Sequence, residues 1–145
     1  MNMINSILLV DDENLFHLVF EDACSLLDIT LDLQSITSSD EAARLFEQWK
    51  TNSQGKPECV FVDLNIIGSS FNGIELIQKI NYEYGNGVVV GIISSSADQE
   101  EIDKSLHAGA QFWIVKSDDI EPRLELFRED YEGYKNRTAP FKVYK

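Results

Sequence analysis

A handful of polar residues at the ends of short apolar runs carry the chemistry this chain could do. Asp11-Asp12 follows Ile7-Leu8-Leu9-Val10, and Asp63 closes the run Cys59-Val60-Phe61-Val62. Ser94 follows Val88-Val89-Val90-Gly91-Ile92-Ile93, and Lys116 follows Phe112-Trp113-Ile114-Val115. Short apolar, β-branched runs bounded by polar residues read as strands buried on both faces. An aspartate inside such a strand would lose its hydration, so each carboxylate belongs where its strand ends and the sheet opens to water. Taken singly, each of these residues is ordinary: an acid after a strand is usually a turn former or helix cap. If the strands run parallel, however, all these ends share one edge, and ligands of open α/β sheets bind at that edge.

Three carboxylates gathered within a few ångströms repel by ~4 kcal/mol per close pair at a surface-like dielectric. Protonation of one relieves this, and so does a bound divalent cation; all-oxygen ligands select magnesium, manganese or calcium. One such ion together with the Lys116 ammonium brings the cluster to zero net charge, so an incoming phosphoryl group would meet little repulsion. Phosphoryl transfer asks chiefly for positioning and charge neutralisation around an in-line nucleophile. A carboxylate is already ionised at neutral pH and needs no general base. The chemistry these residues suit is phosphorylation of an aspartate.

The elements that must hold them alternate. Helix one shows Phe16, Val19, Phe20, Ala23, Leu26 and Leu27 at helical spacing, with His17 off that stripe and expected as a solvated or partly packed surface residue. Residues 29–36 alternate as a half-wet edge strand. Ser38 and Glu41 form a capping-box start for helix two, whose face is Ala42, Leu45, Phe46 and Trp49. Helix three carries Ile74, Ile77 and Ile80. Helix four buries Ile102 and Leu106 and stops at Gly109, a left-handed cap, with His107 in its last turn. Helix five enters through Asp118-Asp119 with Pro122 in its first turn and presents Ile120, Leu124, Phe127 and Tyr131. Strand and helix taking turns five times predicts a doubly wound α/β domain on a five-stranded parallel sheet.

Composition narrows the function. A net charge of -13 over 145 residues argues against direct nucleic-acid binding. No apolar run approaches the ~20 residues a membrane span needs, and the first residues lack the basic region of a secretory signal. Cys24 and Cys59 fall within a helix and a strand as free buried thiols, which suits a reducing cytoplasm, and no Cys/His spacing fits zinc.

The chain resembles the receiver domain of two-component response regulators. Leu9-Val10-Asp11-Asp12-Glu13, Val60-Phe61-Val62-Asp63, Ile92-Ile93-Ser94-Ser95, Ala108-Gly109-Ala110 and Trp113-Ile114-Val115-Lys116 carry the likeness, which spans roughly residues 4 to 131. The resemblance implies a flavodoxin-like (βα)5 fold with strand order 2-1-3-4-5, the order a member of this family illustrates in general accounts of doubly wound sheets. It implies Asp63 as phosphoacceptor, Mg²⁺ held by the side chains of Asp12 and Asp63 and the Asn65 carbonyl, and Asp11 acting through water. Lys116 would pair with the phosphoryl oxygens, Ser94 would be the switch hydroxyl, and Trp113 the aromatic whose rotamer follows it. A histidine kinase or phosphotransfer protein would be the donor, and a protein target would read the face of helix four, strand five and helix five; a homodimer stays open. The chain would not be an enzyme in the turnover sense, although it would catalyse its own phosphotransfer and slow dephosphorylation.

The pattern is broken in places. The loop after Asp63 is longer than the family's usual one, Ile67 stands where proline is common, Ser117 replaces the proline after the lysine, and Trp113 is bulkier than the usual Tyr or Phe. These departures keep a second reading alive, a pseudo-receiver acting as a phosphorylation-independent interaction module. A carboxylate-nucleophile phosphatase would need a second aspartate two residues after the first, and Asn65 occupies that position. The receiver is expected over residues 1–131, as a stand-alone domain. Residues 132–145 form a basic, aromatic tail in which Lys135, Arg137, Lys142 and Lys145 face only Glu132, leaving the tail at +3 and the rest at -16. That tail reads either as a loosely ordered end or as a segment whose Tyr134, Phe141 and Tyr144 pack on the acidic body or a partner.

Overall fold

The computed structural model describes residues 3–66 and 72–145. Among these residues the strands and α-helices follow in order: β1 (Ile7–Val10), α1 (Asn14–Leu27), β2 (Leu33–Ile36), α2 (Ser39–Thr51), β3 (Cys59–Asp63), α3 (Gly73–Tyr84), β4 (Val89–Ser94), α4 (Gln99–Ala108), β5 (Phe112–Val115), α5 (Glu121–Lys135) and β6 (Lys142–Tyr144). They build one parallel sheet in the order β2-β1-β3-β4-β5-β6. The five expected strands take the expected order, and a sixth is added at the far edge.

Because successive strand residues face opposite ways, each apolar run feeds two cores at once. Ile7, Leu9, Cys59, Phe61, Ile93, Phe112 and Ile114 meet Phe16, Phe20 and Leu27 of α1 and Leu124, Phe127 and Tyr131 of α5. Leu8, Val10, Val60, Val62, Val90, Ile92 and Trp113 meet Phe46 and Trp49 of α2, Leu76, Ile77 and Ile80 of α3, and Ile102 of α4. Gly91 lies mid-strand because a Cβ there would come within 2.5 Å of the Phe112 ring.

The helix ends follow from their capping residues. Ser38 Oγ accepts the Glu41 N–H at 3.0 Å. Asn72 and Glu75 form a reciprocal capping box at α3, and Asp98 accepts the Glu101 N–H at α4. Gly109 closes α4 at φ 114°.

Several expectations are corrected. Leu26 is 64% exposed, because the buried stripe of α1 runs through Leu27 and Leu26 lies about 100° around the helix from it. Leu106 of α4 is 45% exposed, lying about 100° around the helix from the buried Ser105. The edge strand spans only residues 33–36; Thr30 Oγ1 accepts the Asp32 N–H at 3.2 Å, and that local turn competes with extended pairing, leaving Leu31 at 88% exposure.

The C-terminal residues are ordered, not loose. Helix α5 continues to Lys135, and Thr138 and Ala139 N–H groups both return to the Gly133 carbonyl. Gly133 permits that return, since a Cβ would come within 2.9 Å of the Ala139 Cβ. Arg137, at φ 60°, donates to the Gly85 and Val88 carbonyls at 2.8 and 2.9 Å. Strand β6 then lies parallel to β5, pairing Phe112 with Lys142, Trp113 with Val143 and Ile114 with Tyr144.

Candidate functional site

Four strand ends deliver the site. The register pairs Val10 with Val62 and Asp63 with Ile93, so the carboxyl ends of β1, β3 and β4 finish nearly level. Carboxylate oxygens of Asp11, Asp12 and Asp63 lie within 4.8 Å of one another. Lys116, just past β5, places Nζ 2.7 Å from Asp11 Oδ2 and 3.4 Å from Asp63 Oδ2. Its backbone N–H donates to the Ser94 carbonyl at 2.7 Å, fixing where the side chain starts. These groups open on a cleft of about 350 Å³ walled by Asp12, Glu13, Phe16, Asp63, Asn65, Ser95, Lys116, Ser117 and Asp118.

Asp11 is fully buried, and Asp63 is 6% exposed. Asp11 Oδ1 accepts the Glu13 N–H at 2.8 Å, whereas the buried Oδ2 lies 2.7 Å from the Lys116 ammonium, as an ion pair that misses hydrogen-bond geometry. Asp63 Oδ1 accepts the Asn65 N–H at 3.3 Å. Burial first, and then the Asp11 charge, push the Asp63 carboxyl up to about 6, against the pull of Lys116 and of the Asn65 N–H. Lys116 is held above its ordinary value; burial, its largest influence, works the other way and is outweighed by the close Asp11 carboxylate and the charge of Asp63. Three carboxylates within 4.8 Å of one another, with Asp12 and Asp63 lining an open cleft, fit a hard divalent cation.

The loop behind Asp63 is pinned where it leaves and where it returns. The Gly73 N–H donates to the Leu64 carbonyl at 3.2 Å. A Cβ on Gly73 would run into the Asp63 carbonyl oxygen and come within 2.9 Å of the Leu64 Cα, so only glycine lets α3 start against the backbone of β3. The unusual Ile67 and Gly68-Ser69-Ser70 lie outside the described residues.

Thus Asp11, Asp12, Asp63 and Lys116 come together, with Asn65 on the cleft wall. Ser94 stands one residue beyond Ile93, the register partner of Asp63; it is buried, and its Oγ accepts the Ser96 N–H at 3.4 Å. Trp113 is fully buried and donates Nε1–H to the Ser96 carbonyl at 2.9 Å. Two neighbours escaped sequence reasoning. The Phe16 ring, assigned only to the core stripe, sits 4.8 Å from Lys116 Nζ. His17, read as a solvated or partly packed surface residue, is half-buried as that reading allows, but its Nε2–H donates to the Asp11 carbonyl, a contact not expected from the sequence. The signal for both was their place in the first turn after the acidic pair, where a helix cannot point every residue away from its own N-terminus.

Residues 7–125 match the family model of the response regulator receiver domain, and the chain belongs to that family. It is a receiver domain of two-component signalling. Among solved structures, NtrX from Brucella abortus superposes with a TM-score of 0.76 at 25% identity, over 93% of this chain and 28% of that one. A CheY-like receiver domain protein from Methanospirillum hungatei JF-1 gives 0.74 at 18% identity, covering 92% and 98% of the two chains. The phosphorylated cyanobacterial phytochrome response regulator RcpA gives 0.71 at 20% identity, covering 94% and 96%. This chain therefore spans little more than a quarter of NtrX, whereas it matches the other two nearly end to end. No curated protein matches. Among the described residues no helix is long and apolar enough to cross a membrane.

Proposed function

We propose that this receiver accepts a phosphoryl group on Asp63 in a Mg²⁺-dependent reaction and signals to a protein partner by a change of conformation. The observation that carries this reading is the placement of Asp63 at a cleft between two further carboxylates and the Lys116 ammonium. The side chains of Asp12 and Asp63 with the Asn65 carbonyl would hold Mg²⁺, Asp11 contributing through water, and the ion would offset the charge of the incoming phosphoryl oxygens. Asp63 supplies the nucleophilic oxygen: its new O–P bond forms as the donor's P–O or P–N bond breaks, and the leaving group departs in line. Lys116 stays charged, because its carboxylate neighbours favour the ammonium, and it is free to exchange its 3.4 Å contact with Asp63 for one with a phosphoryl oxygen. Asp11, at 2.7 Å, keeps that ammonium aimed.

The histidine kinase or phosphotransfer protein that donates must reach this mouth, and α1 offers it exposed Leu15 and Leu18 beside Phe16. For the response, Ser94 would turn its hydroxyl to the phosphoryl group, with Trp113 following. The chain's own residues perform both the transfer and the slow return of phosphate to water, so this is a signalling device and not a turnover enzyme. A cytoplasmic setting, where two buried free thiols persist, is part of the same reading.

The test is intact-mass measurement after incubation with Mg²⁺ and a small acyl phosphate. One added phosphoryl group is expected in the wild type, and none in Asp63→Asn or in chelator. A wild type that neither gains mass nor binds beryllofluoride would instead be a pseudo-receiver.

A further inference from the structure

The sixth strand changes which part of the sheet faces outward. Strand β5 is not the edge here, because β6 runs along it and covers its backbone. The cover is anchored at several points. Tyr144 is buried, its hydroxyl 2.7 Å from that of Tyr134 and donating at 2.7 Å to Asp130 Oδ2, which also takes Lys142 Nζ at 3.1 Å. Val143 and Phe141 pack against the core layer that holds Trp113, while Tyr144 enters the opposite layer beside Phe127. Yet the strand is only three residues long and lies at the sheet's rim, where local opening free energies are smallest.

A continuous path joins this strand to the acidic cleft. The Ser94 hydroxyl is engaged with the Ser96 N–H at 3.4 Å, a long contact that is easily given up. The Ser96 carbonyl holds the Trp113 indole N–H at 2.9 Å. Trp113 is the ladder partner of Val143 and shares its core layer. If Ser94 leaves Ser96 for a phosphoryl oxygen, the Ser94–Ser96 turn must adjust, Trp113 loses its fixed acceptor, and the packing under Val143 and Phe141 no longer fits.

We propose that β6 is a reversible cover on the β5 edge, seated in the unphosphorylated chain and loosened when the phosphoryl group on Asp63 recruits Ser94. This rests on the phosphoacceptor reading above and adds its output: the signal is the release of the chain's own last strand. The face of α4, β5 and α5 is closed to a partner until that release.

Hydrogen exchange on the full chain tests it, with Mg²⁺ and beryllofluoride as the probe and fluorine NMR reporting binding separately. Amides of residues 142–144 should exchange at least fivefold faster in the complex, with those of β1 unchanged and no effect in Asp63→Asn. Tyr144→Phe removes the hydroxyl contacts to Tyr134 and Asp130 while keeping the ring; it should speed exchange at 142–144 without any ligand. By reciprocity of coupling, it should also tighten beryllofluoride binding severalfold. Binding seen by NMR with unchanged or slower exchange at 142–144 would overturn the cover. So would a Tyr144→Phe chain whose strand is loosened but whose beryllofluoride affinity is that of the wild type. Absence of binding in the wild type would refute the phosphoacceptor reading itself, and the cover with it.

Discussion

Asp63→Asn should make the metal-free protein more stable while abolishing its chemistry. In the folded chain the Asp63 carboxyl lies at about 6, against an ordinary 3.8, because it is buried beside Asp11. Its proton is thus bound more tightly folded than unfolded, and ionisation works against the fold. Below pH ~4 the residue is protonated in both states and contributes nothing. The penalty grows between pH ~4 and ~6 and is fully present above that. The gap between the two values corresponds to ~3 kcal/mol. Asp63 borders an open cleft, so solvent screening reduces this to about 1–2 kcal/mol. Asparagine keeps an acceptor for the Asn65 N–H, leaves Lys116 paired with Asp11, and removes the like charge.

The assay is thermal or urea unfolding in chelator at pH 7.5 and at pH 4.5. For a domain of this size, about 1–2 kcal/mol appears as a rise of about 2–8 °C in Tm. The gain should be full at pH 7.5, fall to about a third of that at pH 4.5, and shrink at pH 7.5 when Mg²⁺ stabilises the wild type by mass action but not the variant. An Asp63→Asn chain that is no more stable than the wild type at pH 7.5 in chelator would refute the argument that burial and Asp11 raise this carboxyl.

Lys116→Ala leaves Asp11 buried without the ammonium it pairs with, and breaking such a pair should cost about 3–5 kcal/mol at neutral pH, read from the urea midpoint and partly recovered in acid as a carboxyl takes up a proton. Gly73→Ala forces a Cβ into the backbone at Asp63 and Leu64 and should cost about 1–3 kcal/mol; phosphorylation with acyl phosphate should slow in the folded fraction, because the loop end displaced is the one that aims Asp63. Beryllofluoride should alter tryptophan emission in Trp49→Phe but not in Trp113→Phe, because Trp49 packs on Phe46 and Tyr84 away from the cleft whereas Trp113 is hydrogen-bonded to Ser96.

Much of the site was legible because strand ends are written in sequence. A buried parallel strand is a run of apolar residues, so the first polar residue after it marks the sheet edge, and Asp11, Asp63, Ser94 and Lys116 each hold that position. Their mutual distances were not legible. That Lys116 lies closer to Asp11 than to Asp63 depends on side-chain reach and on the Phe16 ring beneath the ammonium. The hydrogen bond from His17 to the Asp11 carbonyl depends on how sharply α1 leaves β1, which no periodicity encodes.

The tail shows where pattern reading stops and why. Phe141, Lys142, Val143 and Tyr144 do alternate in their environments, but three residues are too few for a period of two to stand out from a basic, aromatic end. Their extended form is not intrinsic to them; β5 supplies it through a ladder that only exists once α5 has brought the chain back and Gly133 has let it turn. The residues that anchor it, Asp130 and Tyr134, sit on α5 and look like ordinary helix positions until Tyr144 meets them. Unlike the strand ends at the cleft, this contact has no periodic pattern to announce it, although Tyr134 and Asp130 lie only 10 and 14 residues before Tyr144. A strand whose order depends on its neighbour's surface will sense a change at that neighbour, and here the neighbour is Trp113.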